Sequence, residues 1–387
     1  MERFAAWIAL GLLAVFLLVV GLRDGGEETT TTVRSEAGTT TPPTIAAATT
    51  TAATPTTSST GPATSITVTT EPGIRPAALP LEVAHPSEWY STIVAVSEHE
   101  AWVVLVTDDS AGLMGHLADG EWTHHLLSED DARVLGMAGA PDGTVWAATD
   151  VGVFAFDGED WERRFDGPVG GIAVAPDGTV WIGGLRASDP WAQDRVWLAR
   201  WDAPGWQRVG PNPDDVPVPS GVTDLAALPG ETWMIHRAGG WIEDDVVRYD
   251  GAAWEIVEVA GIPDATPDNG MPAVGAFAVE AAPDGDVWVA GYLAAAPREI
   301  VLARFDGSDW TRYDWPYSEP AGAASHFAVA AGPDGVIWFA FEGGLASFDG
   351  SAWTRFREGE TLYGVAVAPD GAVWFTDHEG AHSLDVP

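Results

Sequence analysis

The 387-residue sequence contains no cysteine and no lysine. Without thiols there are no disulfides, no thiolate metal sites and no cysteine nucleophile. Basic side chains are confined to arginine, 18 in all against 57 acids, which leaves a formal net charge of −39. So acidic a chain repels phosphate backbones and anionic lipid heads, and nucleic acid is excluded as a partner. Among catalytic signatures, the GxSxG, P-loop and DxDxDG spacings are missing. What the chain has in quantity is 20 Trp, 44 Gly and 28 Pro.

The first 84 residues contain little that could build a core. Ala5 to Leu22 is an uncharged apolar run that would span about 27 Å as a helix, just enough for a bilayer interior. Arg3 precedes it and RDGGEE follows, which favours an N-terminus inside and the rest outside. The alternative is a cleaved signal peptide with Val19 and Gly21 at the −3 and −1 positions. Residues 1–23 are thus expected to be an anchor or signal segment. Residues 24–84, rich in Thr, Pro and Ala and carrying no aromatic residue, read as a disordered linker that cannot bury enough surface to offset backbone ordering.

From residue 85 a pattern recurs: a small-apolar strand, a Pro-Asp-Gly turn, then a strand carrying Trp. Copies run Pro141–Trp146, Pro176–Trp181, Pro283–Trp288, Pro333–Trp338 and Pro369–Trp374, with weaker ones ending at Trp233 and Trp102. The Trp spacings are 44, 35, 52, 55, 50 and 36, a propeller-blade period with loop insertions. Interleaved is a second pattern, aromatic-Asp-Gly followed closely by Trp, as in Phe156-Asp157-Gly158 with Trp161 and Phe348-Asp349-Gly350 with Trp353. Asp-Gly is a preferred hairpin corner because Gly accepts positive φ without steric cost. Each unit therefore reads as four antiparallel strands, a to d, with Trp on b and d.

The seventh unit stops after a short strand c, while Pro86 to Tyr90, carrying Trp89, has the character of a lone d strand. Pairing the two would close the ring and leave no blade edge open. The expected fold is all-β: a seven-bladed β-propeller over residues 85–387, sealed by an N-terminal d strand and preceded by one transmembrane helix and a disordered stalk. The PDG aspartates are turn-formers, since one carboxylate per turn falls far short of a calcium shell.

The units resemble repeats of the two-component-regulator propeller family, most closely in PDGTVWAATDVGVFAFDGEDW (Pro141–Trp161) and PDGVIWFAFEGGLASFDGSAW (Pro333–Trp353). That resemblance implies an extracytoplasmic sensor domain. PDGAVWFTD (Pro369–Asp377) is more weakly similar to repeats of streptogramin lyases, seven-bladed enzymes that open cyclic ester antibiotics.

The a–b and c–d turns are tight, whereas every long insertion is a b–c or d–a connection and belongs to units three to six. Insertions on one face mark the binding face of a repeat protein. Trp191, Trp241 and Trp315 lie in or beside them, close to Asp244, Asp245 and His236. Indoles beside carboxylates suit a sugar face or a cationic peptide segment. The expected function is non-catalytic recognition of an extracellular glycan, peptide or protein by a membrane-tethered module without a cofactor; a separate membrane signalling protein is a further partner to consider. Secretion after signal cleavage is the alternative location. The alternative function is a lyase or hydrolase resembling the streptogramin lyases. It would use His326, His378, Asp377 and Glu342 as an acid–base set, with a divalent cation, and would need those groups within about 3–7 Å of one another.

Overall fold

The computed structural model describes residues 65–68, 74–78, 85–86 and 92–384, apart from 108–109, 128–131, 185–196, 211–221, 239–242, 260–275, 294–298 and 318–326. The expected anchor, residues 1–23, lies outside these. Among the described residues no helix is long and apolar enough to cross a membrane.

Strands pair into seven separate sheets, one per repeat, whose a to d strands run antiparallel. The a strands are Ile93–Ser97, Val134–Gly139, Val169–Val174, Val222–Leu228, Ala276–Ala281, Phe327–Ala331 and Gly364–Val367, and define blades 1 to 7 in that order. They are built of Ala, Val, Gly and Ile because they crowd around one axis, where only small side chains fit. Each PDG turn is closed as the residue types require. In blade 2 Gly143 has φ +90°, and the Asp142 carboxylate accepts the Thr144 N–H at 3.0 Å.

The b-strand indoles fill the gaps between blades. All seven are buried, with Trp102, Trp181 and Trp233 fully so. On the d strands Trp353 is buried, while Trp122, Trp161, Trp206, Trp254 and Trp310 are half-buried. Apolar clusters join each blade to the next, for example Trp233 and Ile235 of blade 4 with Val287 and Val289 of blade 5. One cluster packs Trp374 and Ala368 of blade 7 against Ile93 and Ala101 of blade 1, so the ring is closed. At the same seam Trp374 Nε1 donates to the Ser97 carbonyl at 2.9 Å, and the Glu98 N–H donates to Asp370 at 2.9 Å.

Closure does use an N-terminal strand, but not the expected one. Ile74–Ala78 pairs antiparallel with Gly380–Leu384, the c strand of blade 7, with Ile74 opposite Leu384 and Ala78 opposite Gly380. By His85–Pro86 the chain is already beside blade 1, paired with Val106 and Leu105, and Trp89 lies outside the described residues. A second strand, Ser65–Val68, adds in parallel to Ala352–Glu358 and makes blade 6 five-stranded. Both strands fall within the span read above as linker, so the ring begins earlier than residue 85. The physical reason is that an edge strand is added through backbone hydrogen bonds and needs no aromatic side chain. Pro76 is compatible with such a position and would not be with a central one.

Candidate functional site

Strand order fixes where connections emerge. The a–b and c–d turns close one end of every blade. The opposite end carries the connections between residues 184 and 198, 210 and 222, 238 and 243, 257 and 276, 293 and 299, and 314 and 327. All of these leave from the same rim of blades 3 to 6.

Around the axis the seven a strands enclose a channel of about 860 Å³. Its wall is mainly Ala, Val and Gly, with Ile, Leu, Met, Pro and Phe, the polar Thr92 and Tyr363, and two acids, Asp224 in blade 4 and Glu280 in blade 5. Asp224 Oδ1 accepts the Leu225 N–H at 2.9 Å, and its Oδ2 accepts the Val279 N–H from blade 5 at 2.8 Å. Glu280 Oε1 accepts the Ala331 N–H from blade 6 at 3.3 Å. Burial pushes Asp224 up to about 6, against the pull of these N–H groups. It pushes Glu280 up to about 8, with the neighbouring Asp224 charge adding to the effect and the Ala331 N–H opposing it. Neither acid was singled out from the sequence. A signal was present nonetheless: across the seven a strands, VTDLAAL and AFAVEA alone carry an ionisable side chain.

Of the residues expected to bind ligand, Trp315 is corrected to a core residue. It is 9% exposed and wedged edge-on against Trp353 at 5.0 Å, Phe341 at 5.1 Å and Phe327 and Phe339 at 5.4 Å. It follows the d strand Trp310–Asp314 directly and drops into the gap between blades 5 and 6. Trp191 and Trp241 lie outside the described residues. At the loop-bearing end of blade 4 the register sets His236 opposite Asp245 and Arg237 opposite Asp244. Backbone pairing thus brings three of the expected residues to one corner, beside the connection that contains Trp241.

The acid–base set fares differently. Asp377 is buried and committed to its own turn. It accepts N–H groups from Glu379 at 2.7 Å and Gly380 at 3.1 Å, and contacts His382 Nε2 at 2.9 Å. Burial acts to raise its pKa, but the His382 contact and the two N–H groups outweigh this and hold it below the ordinary range. Asp377 thus anchors its own turn. His378 is exposed and 3.8 Å from Glu379. Glu342 is half-buried in the b–c turn of blade 6, and His326 lies outside the described residues.

No protein-family model matches this sequence, and no curated protein does. Solved structures do match in fold. A streptogramin B lyase superposes with TM-score 0.56 at 16% identity, over 81% of this chain and 98% of that one. A virginiamycin B lyase from Staphylococcus aureus gives 0.57 at 13%, over 82% and 100%. The extracellular domain of a candidate one-component system from B. thetaiotaomicron gives 0.54 at 11%, over 81% of this chain and 40% of that one. At such identities the likeness is one of architecture, the seven-bladed ring.

Proposed function

We propose that this chain is an exported recognition module that captures an extracellular glycan, peptide or protein on the loop-bearing rim of blades 3 to 6. The observation that carries this is the segregation of every long connection to one rim, while the other is closed by tight turns. A ring of small-residue strands is a rigid platform, and loops on such a platform are where binding residues collect. The architecture shared with the extracellular domain of a candidate one-component system supports an exported location. The apolar run at residues 5–22 supports anchoring by one helix, with a separate membrane protein reading occupancy.

The blade 4 corner supplies the chemistry: Trp241 in the connection, with Asp244, Asp245 and His236 at the strand ends. An indole face and carboxylates together suit stacking on a sugar or holding a cationic side chain. The test uses the unit Ser58–Pro387 on glycan and peptide arrays, with and without divalent cations, beside the variant Trp241→Ala/Asp244→Asn/Asp245→Asn. Capture by the parent and its loss in a variant with unchanged melting temperature is the expected outcome. Equal capture by both would sink the assignment to this corner.

A further inference from the structure

Backbone hydrogen bonding stops at the edge of each blade, and neighbouring a strands meet mostly through Ala, Val and Gly side chains. Blades 4, 5 and 6 depart from this. Asp224 of blade 4 takes the N–H of Val279 in blade 5, and the next residue, Glu280, takes the N–H of Ala331 in blade 6. The two carboxyl groups are consecutive links that tie three inner strands together along the channel wall. They use N–H groups on the inner edge of the a strands, where no further strand is present to accept them.

We propose that these two links form a pH-responsive joint in the channel wall, tight while Glu280 holds its proton and loosened when it ionises beside Asp224. A protonated Glu280 still offers its carbonyl oxygen to Ala331 and brings no charge. Its ionised form places a second negative charge near Asp224 in the channel wall, and the like charges repel.

Among the described lining residues nothing neutralises that charge. The titratable groups lining the channel are Asp224, Glu280 and Tyr363, with no cationic side chain among the described lining residues. The a strands of blades 3, 6 and 7 contribute no titratable group. Packed behind the joint, the b strand of blade 4 (Glu231–Ala238) carries Glu231, His236 and Arg237, and its c strand (Glu243–Tyr249) carries Glu243, Asp244, Asp245, Arg248 and Tyr249. The b strand of blade 5 (Val287–Leu293) carries Tyr292. Arg248 is already engaged by Glu231 at 2.9 Å, and among the groups whose side chains are described Asp224 is the one that acts on Glu280 as a charge. His326, just before the blade 6 strand, lies outside the described residues.

Both carboxyl groups are shifted upward, so the folded chain retains protons that the unfolded chain releases. Their contribution to stability is complete below the ordinary carboxyl range, near pH 4, and is lost as pH rises through about 6 for Asp224 and about 8 for Glu280. Between those values one link is ionised and the other neutral. The joint underlies blades 4 to 6, which bear four of the six long connections, so alkaline loosening would be felt at the rim above. The proposal itself does not depend on what that rim binds.

The test is amide hydrogen exchange on the full chain, read at Val279 and Ala331 from pH 6 to about 9.5 and normalised to intrinsic rates, with Met137 of blade 2 as internal reference. Relative to Met137, protection at both amides is expected to fall by up to about tenfold per unit of pH as far as about pH 8, while the tight form alone keeps the Glu280 proton, and to level off above it. Glu280→Gln, whose amide oxygen still accepts but cannot ionise, should keep its protection across the range. In Asp224→Asn the step at Ala331 should move to lower pH, because the neighbouring charge is gone. Flat protection in the parent chain, or the same fall in Glu280→Gln, overturns the joint.

Discussion

Single residues in this protein show how far residue type constrains role. Aspartates do three different jobs. In the c–d turns Asp157, Asp250, Asp306 and Asp349 each accept N–H groups of their own turn; Asp349 does so from Ala352 at 2.7 Å and Ser351 at 2.8 Å. These bonds hold all four below the ordinary carboxyl range. Their stabilisation is therefore present above pH 4 and lost as pH falls through the depressed values, the opposite sign to Asp224 and Glu280. Together the two classes predict a melting temperature that peaks near pH 5 and declines on both sides; a profile rising monotonically to neutrality would contradict it. The third role is that of Asp377, an anchor for a buried histidine. Trp315 makes the same point for indoles. Its position beside a long connection suggested a ligand surface, yet it packs among four aromatic rings of blade 6. Trp315→Ala should cost about 3–5 kcal/mol in a chemical denaturation experiment, the range of a core aromatic truncation. A loss under about 1 kcal/mol would place it outside the core.

At the scale of elements, each hairpin follows its turn chemistry, and blade 4 shows what happens where the pattern weakens. Its a–b turn has no PDG aspartate; Glu231 stands near that position instead. Glu231 Oε1 accepts Trp233 Nε1 at 2.5 Å, and its two oxygens take Arg248 Nε and Nη2 at 2.9 and 3.1 Å. Arg248 in turn lies over the Trp233 ring at 5.3 Å. A fork of charge-assisted bonds over an aromatic face replaces the usual turn bond, and Glu231→Ala should destabilise by about 2 kcal/mol in equilibrium unfolding. The N-terminal strands belong to this scale as well. Removing residues 1–84 deletes Ile74–Ala78 and leaves the edge Gly380–Leu384 unpaired. Such a truncation should melt lower and self-associate in sedimentation experiments, whereas a chain beginning at Ser58 should remain monodisperse. Equal behaviour of the two would mean that the strand contributes nothing to closure.

On the largest scale, the unit Ser58–Pro387 is a ring whose parts are held by their neighbours. Apolar clusters bridge successive blades, including blade 7 to blade 1, so no interface can open without strain on the others. Replacement of an interface indole such as Trp374 by Ala is expected to lower one transition, with far-UV dichroism and Trp fluorescence superimposed. Two resolved transitions would show that blades fold independently, as in an open solenoid. Fold class, blade number and the rim that carries the insertions were all legible in the sequence, because they rest on local periodicity: a turn every few residues, a Trp at fixed offset, and antiparallel strands whose ends must alternate. Three features depended on contacts remote in the chain. They are the identity of the closing strand, the burial of Trp315 and the pairing of Asp224 and Glu280 with blades more than fifty residues away. Edge-strand addition is a backbone interaction that leaves little trace in side chains, burial depends on what arrives from the next blade, and the pKa of an acid reflects its enclosure. Local pattern dictated the units; only their closure into a ring decided which side chains face water, core or channel.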